Sequence, residues 1–223
     1  MTTIKEIDQA TNNLLWGLPV LKTKIDPKQF NKKNILNTIE KNYQKKQVRQ
    51  KWSKSLFKTD IHHSLGDDQN SEFDLPDYSE LIKCYEKPIK DYLKTINFQN
   101  TTKFKYEIVN YTAAKHVSFM EPHLHIDCEF SMIHYLKFDN KQNSPTVFMS
   151  PYSFFDYWVS KKKMEEKVKI DNTMQSWSCG EWQYPTEEDD CLIFPAILKH
   201  FVKNKKSDDL RVVLSSNISI LED

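Results

Sequence analysis

The sequence predicts an α+β chain that is mainly β: an antiparallel β-sandwich or jelly roll with N-terminal helices laid against one face. Three observations predict it. Helical periodicity is confined to roughly the first hundred residues. From Lys103 onward apolar residues recur at period two, in runs without intervening helices apart from one long insert. Glycine is scarce, at 3 residues in 223, so no Gly-rich phosphate loop can be written, and Rossmann and P-loop folds fall away. With 39% hydrophobic and 13% aromatic residues, the chain can fill the core of a single domain over 1–223. Within it, 1–100 reads as an N-terminal strand and helical buttress. Residues 101–223 read as the β core, with an insert at about 152–188.

Each element has its own signal. Leu14 to Lys24 is a short apolar run broken by Gly17 and Pro19, which suits an edge strand. Asp26-Pro27 opens a helical region, and Phe30, Ile35, Ile39 and Tyr43 then mark an amphipathic helix over about Asn34 to Lys46. Ile61 to Pro76 is polar and patternless, a loop. Leu81, Ile82, Tyr85, Ile89, Tyr92 and Leu93 give a second helix, bent by Pro88. Phe104, Tyr106, Ile108 and Asn110 share one face of a strand. Ser131 to Phe138, Thr146 to Met149, Cys191 to Phe194 and Leu210 to Ile220 complete the set. The insert carries a predicted helix near Phe155 to Val168 and the aromatic residues Trp177 and Trp182. Helices first and strands after is an α+β order.

Charge and cysteine usage narrow the functional classes. The formal net charge is +1, but Lys28 to Lys58 holds ten Lys/Arg against Glu40, and Asp60 to Glu80 holds seven acids and no Lys/Arg. Two solvated faces that balance each other are the favoured explanation; a nucleic-acid stripe is the sharper alternative. Cys84, Cys128, Cys179 and Cys191 show no metal-finger spacing. No apolar run is long enough for a membrane span and no signal core opens the chain, so a soluble cytoplasmic protein with reduced thiols is expected.

The chemistry concentrates in Pro122-His123-Leu124-His125-Ile126-Asp127, in His200 at the end of an apolar run, and in Arg211. In an extended segment His125 and Asp127 point the same way, and His200 can join them from another strand. Two imidazoles and one carboxylate cap one face of Fe(II) and leave the other open for a cosubstrate and O2. Zinc takes the same ligands. His123 has the parity of His125, so alternation does not exclude it; a His123/His125 pair without Asp127 would make a cupin-like site. Arg211, Val213, Ser215 and Asn217 share a face, and an Arg inside a sandwich needs an anion. A dicarboxylate cosubstrate, 2-oxoglutarate, supplies one. Tyr135, on a face with Ser131 and Ile133, and Asn110 are further candidates to hold that carboxylate. His116 and His134 read as structural, His62-His63 as exposed, and Trp158, Trp177 and Trp182 as packing residues.

Glu121 to Asp127 followed by Ser131-Met132-Ile133-His134-Tyr135-Leu136 resembles the metal-binding segment of the 2-oxoglutarate/Fe(II) oxygenases. It is most similar to a branch common in phages and marine bacteria, which shows His-x-His, then Ser-Gly-Val-Tyr-Tyr-Leu, then Phe-Pro-Ser-x-x-x-His and an Arg-containing strand ending in Asn. Phe194-Pro195 through His200, Arg211 through Asn217, and the opening Leu18-Pro19-Val20 match in order. Met132 stands for the usual Gly, His134 for a Tyr, and Asp189-Asp190 for a Gly-Asp turn. The resemblance implies a double-stranded β-helix, Fe(II) on His125, Asp127 and His200, and 2-oxoglutarate on Arg211, with Tyr135, Asn110 and Asn217 as neighbours. It implies C–H hydroxylation coupled to decarboxylation of 2-oxoglutarate, and its phage members imply a virus-encoded enzyme acting in a host cytoplasm. A peptidyl residue such as proline is the first substrate expectation, a nucleobase the second, a small metabolite the third. A non-catalytic jelly-roll binding or structural protein is the rival from another class.

Overall fold

The computed structural model describes residues 11–15, 17–45, 61–63, 73–99, 102–151 and 180–222. The strands are β1 (Thr11–Leu15), β2 (Leu18–Lys24), β3 (Ile61–His63), β4 (Phe104–His123), β5 (Phe130–Lys137), β6 (Thr146–Met149), β7 (Glu181–Gln183), β8 (Asp190–Pro195) and β9 (His200–Ile220). The helices are α1 (Lys32–Lys45), α2 (Leu81–Cys84) and α3 (Glu86–Thr95). The chain is thus mainly β with few helices, and every described strand pairing is antiparallel. The strand order is β1-β2-β8-β5-β9-β4-β3, with β6 joining β9 to β7.

Several elements differ from expectation for identifiable reasons. The first apolar run is a hairpin rather than one strand: Gly17 takes φ 82, a left-handed turn conformation open to glycine, and β1 folds back on β2. The second helix breaks at Tyr85 rather than bending at Pro88. A proline ring clashes with the carbonyl four residues earlier, here Cys84, so the chain stops α2 at Cys84 and restarts with Pro88 in the first turn of α3, where proline is tolerated. Ile61–His63, expected in a loop, pairs with β4. Of the expected insert, 152–179, with its predicted helix and Trp158 and Trp177, lies outside the described residues, while Glu181–Gln183 pairs with β6.

Local chemistry explains the helix starts. Asp26 accepts from the Lys28 N–H at 3.0 Å at the head of a 3-10 turn. Asn31 Oδ1 accepts from the Asn34 N–H at 3.1 Å and so caps α1. Ile35, Ile39 and Tyr43 then fall on one helix face. With Leu81, Tyr85, Ile89, Tyr92 and Leu93 they pack on the even-numbered residues Met132 and Leu136 of β5 and Val212, Leu214 and Ile218 of β9. The odd-numbered residues of the same strands, Ile133, Tyr135 and Val213, belong to a second core with Phe148, Tyr184, Leu192, Phe194 and Leu198. One sheet therefore has a helix-covered face and a second face with a different content.

Two of the four register shifts between β4 and β9 bear on that second face. Ile108 pairs with Ser216 but Asn110 with Ser215, so Val109 is an extra residue in β4. The slip flips parity, and Asn110 moves off the face of Tyr106 and Ile108 onto that of Ser215, a correction to simple alternation. Farther along, Ala114 pairs with Arg211 but His116 with Ser207. Four steps on β9 oppose two on β4, which shortens the path between Arg211 and His200.

Candidate metal centre

The end of β4 meets the start of β9, and His123 is the direct cross-strand partner of His200. β6 flanks the same end, with Phe148 opposite His200. After His123 the chain leaves the sheet, but the His125 N–H donates to the Ala196 carbonyl at 3.0 Å and the Ala196 N–H to the Glu129 carbonyl at 2.9 Å. These bonds tie the 124–129 segment to the turn that precedes His200.

Three imidazoles converge there. Ring centroids are 4.4 Å apart for His123 and His200, 5.4 Å for His125 and His200, and 5.6 Å for His123 and His125. One nitrogen from each of the three lies within 4.8 Å of the others. His200 is buried at 4% exposure and walled by the rings of Phe194 at 5.0 Å and Phe148 at 6.2 Å. Its Nδ1 is 2.9 Å from the Leu198 carbonyl, and His123 Nδ1 is 2.8 Å from the Glu121 carbonyl. A carbonyl only accepts, so both Nδ1 atoms carry the proton and both Nε2 lone pairs are free for a cation.

Electrostatics agrees with a cation site. Burial, with His123 and His125 beside it, pushes His200 down to about 3. Burial lowers His123 as well, and burial together with His123 lowers His125, partly offset by Asn217 and Asp127. All three are neutral at pH 7, the form that binds metal.

The structure brings together some of the expected residues and separates others. His125 and His200 are in the cluster. Asp127 is exposed, in the bend after His125, close enough to act electrostatically on His125 but outside the convergent set, whose third member is His123. Parity had left His123 open; its pairing with His200 depends on strand register, which the sequence does not display. Asn217 lies beside His125, whose pKa its side chain raises, and the buried Oδ1 of Asn110 has no hydrogen-bond partner.

Arg211 is buried, at 3% exposure. Its Nε donates to the Ser144 carbonyl at 3.0 Å, and its guanidinium lies 5.7 Å from the centre of the Tyr135 ring. No carboxylate of the described residues forms a salt bridge with it. Burial lowers its pKa, with Tyr135 offsetting. The Tyr135 hydroxyl accepts from the Thr146 N–H at 2.9 Å, which uses a lone pair and leaves its proton for another acceptor. Thr146 begins β6, so Arg211, Tyr135, β6 and His200 form one connected wall. His134 faces the other way, sharing a 2.8 Å hydrogen bond with the Tyr85 hydroxyl, and is structural as expected. Trp182 packs against the second core. Cys128, half-buried, has Sγ 3.9 Å from Ser131 Oγ.

A feature absent from the sequence reading is the rim. Leu124, Ile126 and Ile197 are 41%, 82% and 68% exposed. They sit on the two segments tied by the His125–Ala196 bond, beside the imidazoles.

No protein-family model matches the sequence, and no curated protein matches it. Solved structures do. An oxidoreductase of the 2OG-Fe(II) oxygenase family from Burkholderia pseudomallei aligns at TM-score 0.40 and 13% identity over 62% of this chain and 55% of that one, so the match spans about half of its length. A prolyl-4-hydroxylase from Pseudomonas putida aligns at TM-score 0.47 and 9% identity over 91% and 93% of the two chains. HygX from Streptomyces hygroscopicus, with nickel and 2-oxoglutarate bound, aligns at TM-score 0.42 and 10% identity over 90% and 82%. Identities and scores this low assign no activity, which rests on the residues of the site.

Proposed function

We propose that this chain is an Fe(II)- and 2-oxoglutarate-dependent dioxygenase built on a double-stranded β-helix. The observation that carries the reading is one sheet face that holds both a cluster of neutral imidazoles and a buried Arg211 with no acidic partner among the described residues. A buried guanidinium left unpaired is costly, and a dicarboxylate whose other end reaches a metal would relieve it. His125 and His200 hold the ion, with a third donor from the segment 123–127, where Asp127 is the donor implied by the family resemblance and His123 is the one near the other two. Arg211 pairs with the distal carboxylate of 2-oxoglutarate, and Tyr135, stacked against it, donates its free hydroxyl proton to the same group. Asn110 and Asn217 are further polar neighbours. Phe148 and Phe194 wall off water. Bound Fe(II), O2 and 2-oxoglutarate supply the oxidation: the cosubstrate becomes succinate and CO2 as a substrate C–H becomes C–OH.

A polypeptide side chain, with proline first, is the proposed substrate. The exposed Leu124, Ile126 and Ile197 favour it, since apolar side chains gathered at a site mark a surface that another chain covers. A nucleobase substrate has less support. The described part of the basic segment, Lys28 to Lys45, includes α1, which packs on the opposite face of the sheet, and its Lys32 is already paired with Glu188 and Asp189. No helix among the described residues is long and apolar enough to cross a membrane.

Anaerobic addition of Fe(II) and then 2-oxoglutarate tests the reading. A weak visible charge-transfer band is expected for the wild type. Arg211→Met should keep its iron and weaken 2-oxoglutarate binding by about 2–5 kcal/mol, the cost of removing one partner of a buried charge pair. Folded wild-type protein that gives no band rules the reading out.

A further inference from the structure

Within that reading, which this step presupposes, we infer that the third protein ligand to the metal is His123, so that the centre is held by three imidazoles, His123, His125 and His200, with the Asp127 carboxylate outside the coordination sphere.

Position argues for it first. His123 and His200 face each other across the β4–β9 pair, and their rings are the closest of the three. Neither can swing freely, because each Nδ1 is fastened to a carbonyl two residues earlier in the chain, that of Glu121 in β4 and that of Leu198 in the turn before β9. That fastening fixes the tautomer and presents Nε2. His125 is brought in by its backbone bond to Ala196. Ligand nitrogens at about 2.1 Å from one ion stand roughly 3–4 Å apart from each other. Three donors already within 4.8 Å need only small side-chain rotations to close on one.

Asp127 lacks each of these features. It lies in the bend at 126–129, is exposed, and accepts no hydrogen bond among those found for the described residues that would aim it at the imidazoles. Its carboxylate lies outside the group whose ligand atoms come within 4.8 Å of one another. An all-imidazole set also differs in charge. It leaves the full 2+ charge on the ion, where a carboxylate would halve it. One carboxylate of a dianionic cosubstrate would then offset half of that charge, while its other carboxylate reaches Arg211.

Metal binding by the full chain decides the matter, with Co(II) as the probe and equilibrium dialysis as the readout. His123→Ala should weaken Co(II) binding at least tenfold, as should His200→Ala, while Asp127→Ala should stay within about threefold of wild type. Asp127→Ala losing Co(II) while His123→Ala keeps it would overturn the three-imidazole centre and leave the oxygenase reading standing. His200→Ala binding Co(II) like wild type would remove the metal centre itself. X-ray absorption at the cobalt edge of unmodified protein gives a check that needs no variant to fold. Scattering from three imidazoles supports the inference, and scattering from two overturns it.

Discussion

His134 and His200 are both buried histidines, at 0% and 4% exposure, yet they sit on opposite faces of one sheet in opposite company. On the helix-covered face, His134 shares a hydrogen bond with Tyr85, and Asp189 stands 3.9 Å from its Nε2. Lys32 reaches in from α1 to Asp189 at 2.6 Å. The charges there are paired, Lys32 with Asp189, and His134 Nδ1 has its partner in Tyr85, although Nε2 makes no hydrogen bond. On the second face, His200 is surrounded by two further imidazoles, and Arg211 has no acid. The first arrangement pairs its charges with protein groups. The second gathers cation-seeking lone pairs around one point and an anion-seeking charge farther along the same wall, so it is completed by something the chain does not supply.

Core truncation should separate the two faces most sharply. Phe194→Ala removes a ring packed on His200 and should cost about 3–5 kcal/mol of stability, with a loss of Co(II) affinity. Ile39→Ala on the helix face should cost about 2–5 kcal/mol with Co(II) affinity unchanged. Urea unfolding paired with dialysis measures both, and equal effects on metal binding would erase the distinction.

Acid is the next probe. His123, His125, His134 and His200 all have pKa values lowered by burial, His200 to about 3 against 6.5 in the unfolded chain. The unfolded chain therefore takes up protons first. Stability of the metal-free protein should be full above pH 6.5 and fall as pH drops below it. His200 by itself should account for about 1.4 kcal/mol by pH 5.5. Denaturation at pH 7.5 and 5.5 checks this, and His200→Ala should flatten the difference. A pH-independent stability would contradict the neutral imidazole cluster.

The last probe tests the helix-covered face. Tyr85→Phe leaves His134 without its hydroxyl partner and should cost about 1–3 kcal/mol, read by thermal unfolding, with no change in metal or 2-oxoglutarate binding.

Much of this division was legible in the sequence. Period-two alternation groups Ile133 with Tyr135 on one strand and Val213 with Arg211 on another, and predicts that Arg211 is buried and in need of an anion. The helix faces of α1 and α3 followed from Ile35, Ile39, Tyr43, Ile89 and Leu93. What alternation cannot reveal is a slip in it. The extra Val109 sends Asn110 to the second face, and nothing in Glu107-Ile108-Val109-Asn110 announces it. His123 stayed open for a related reason, because parity says which way a side chain points but not which residue lies across from it. Asp189, in the Asp189-Asp190 pair that stands for a Gly-Asp turn, takes φ 66, a left-handed conformation that aspartate tolerates better than most residues.

The pairing of His123 with His200 has one more consequence. These residues close the far end of the two longest strands, with the whole of β5 to β8 strung between them along the chain. An ion shared by the two would act as a clasp on that loop, and fastening distant points of a chain removes freedom mainly from the unfolded state. Metal loading would then add to the stability of the folded β core, so a cell short of the metal would hold less folded protein as well as less active enzyme.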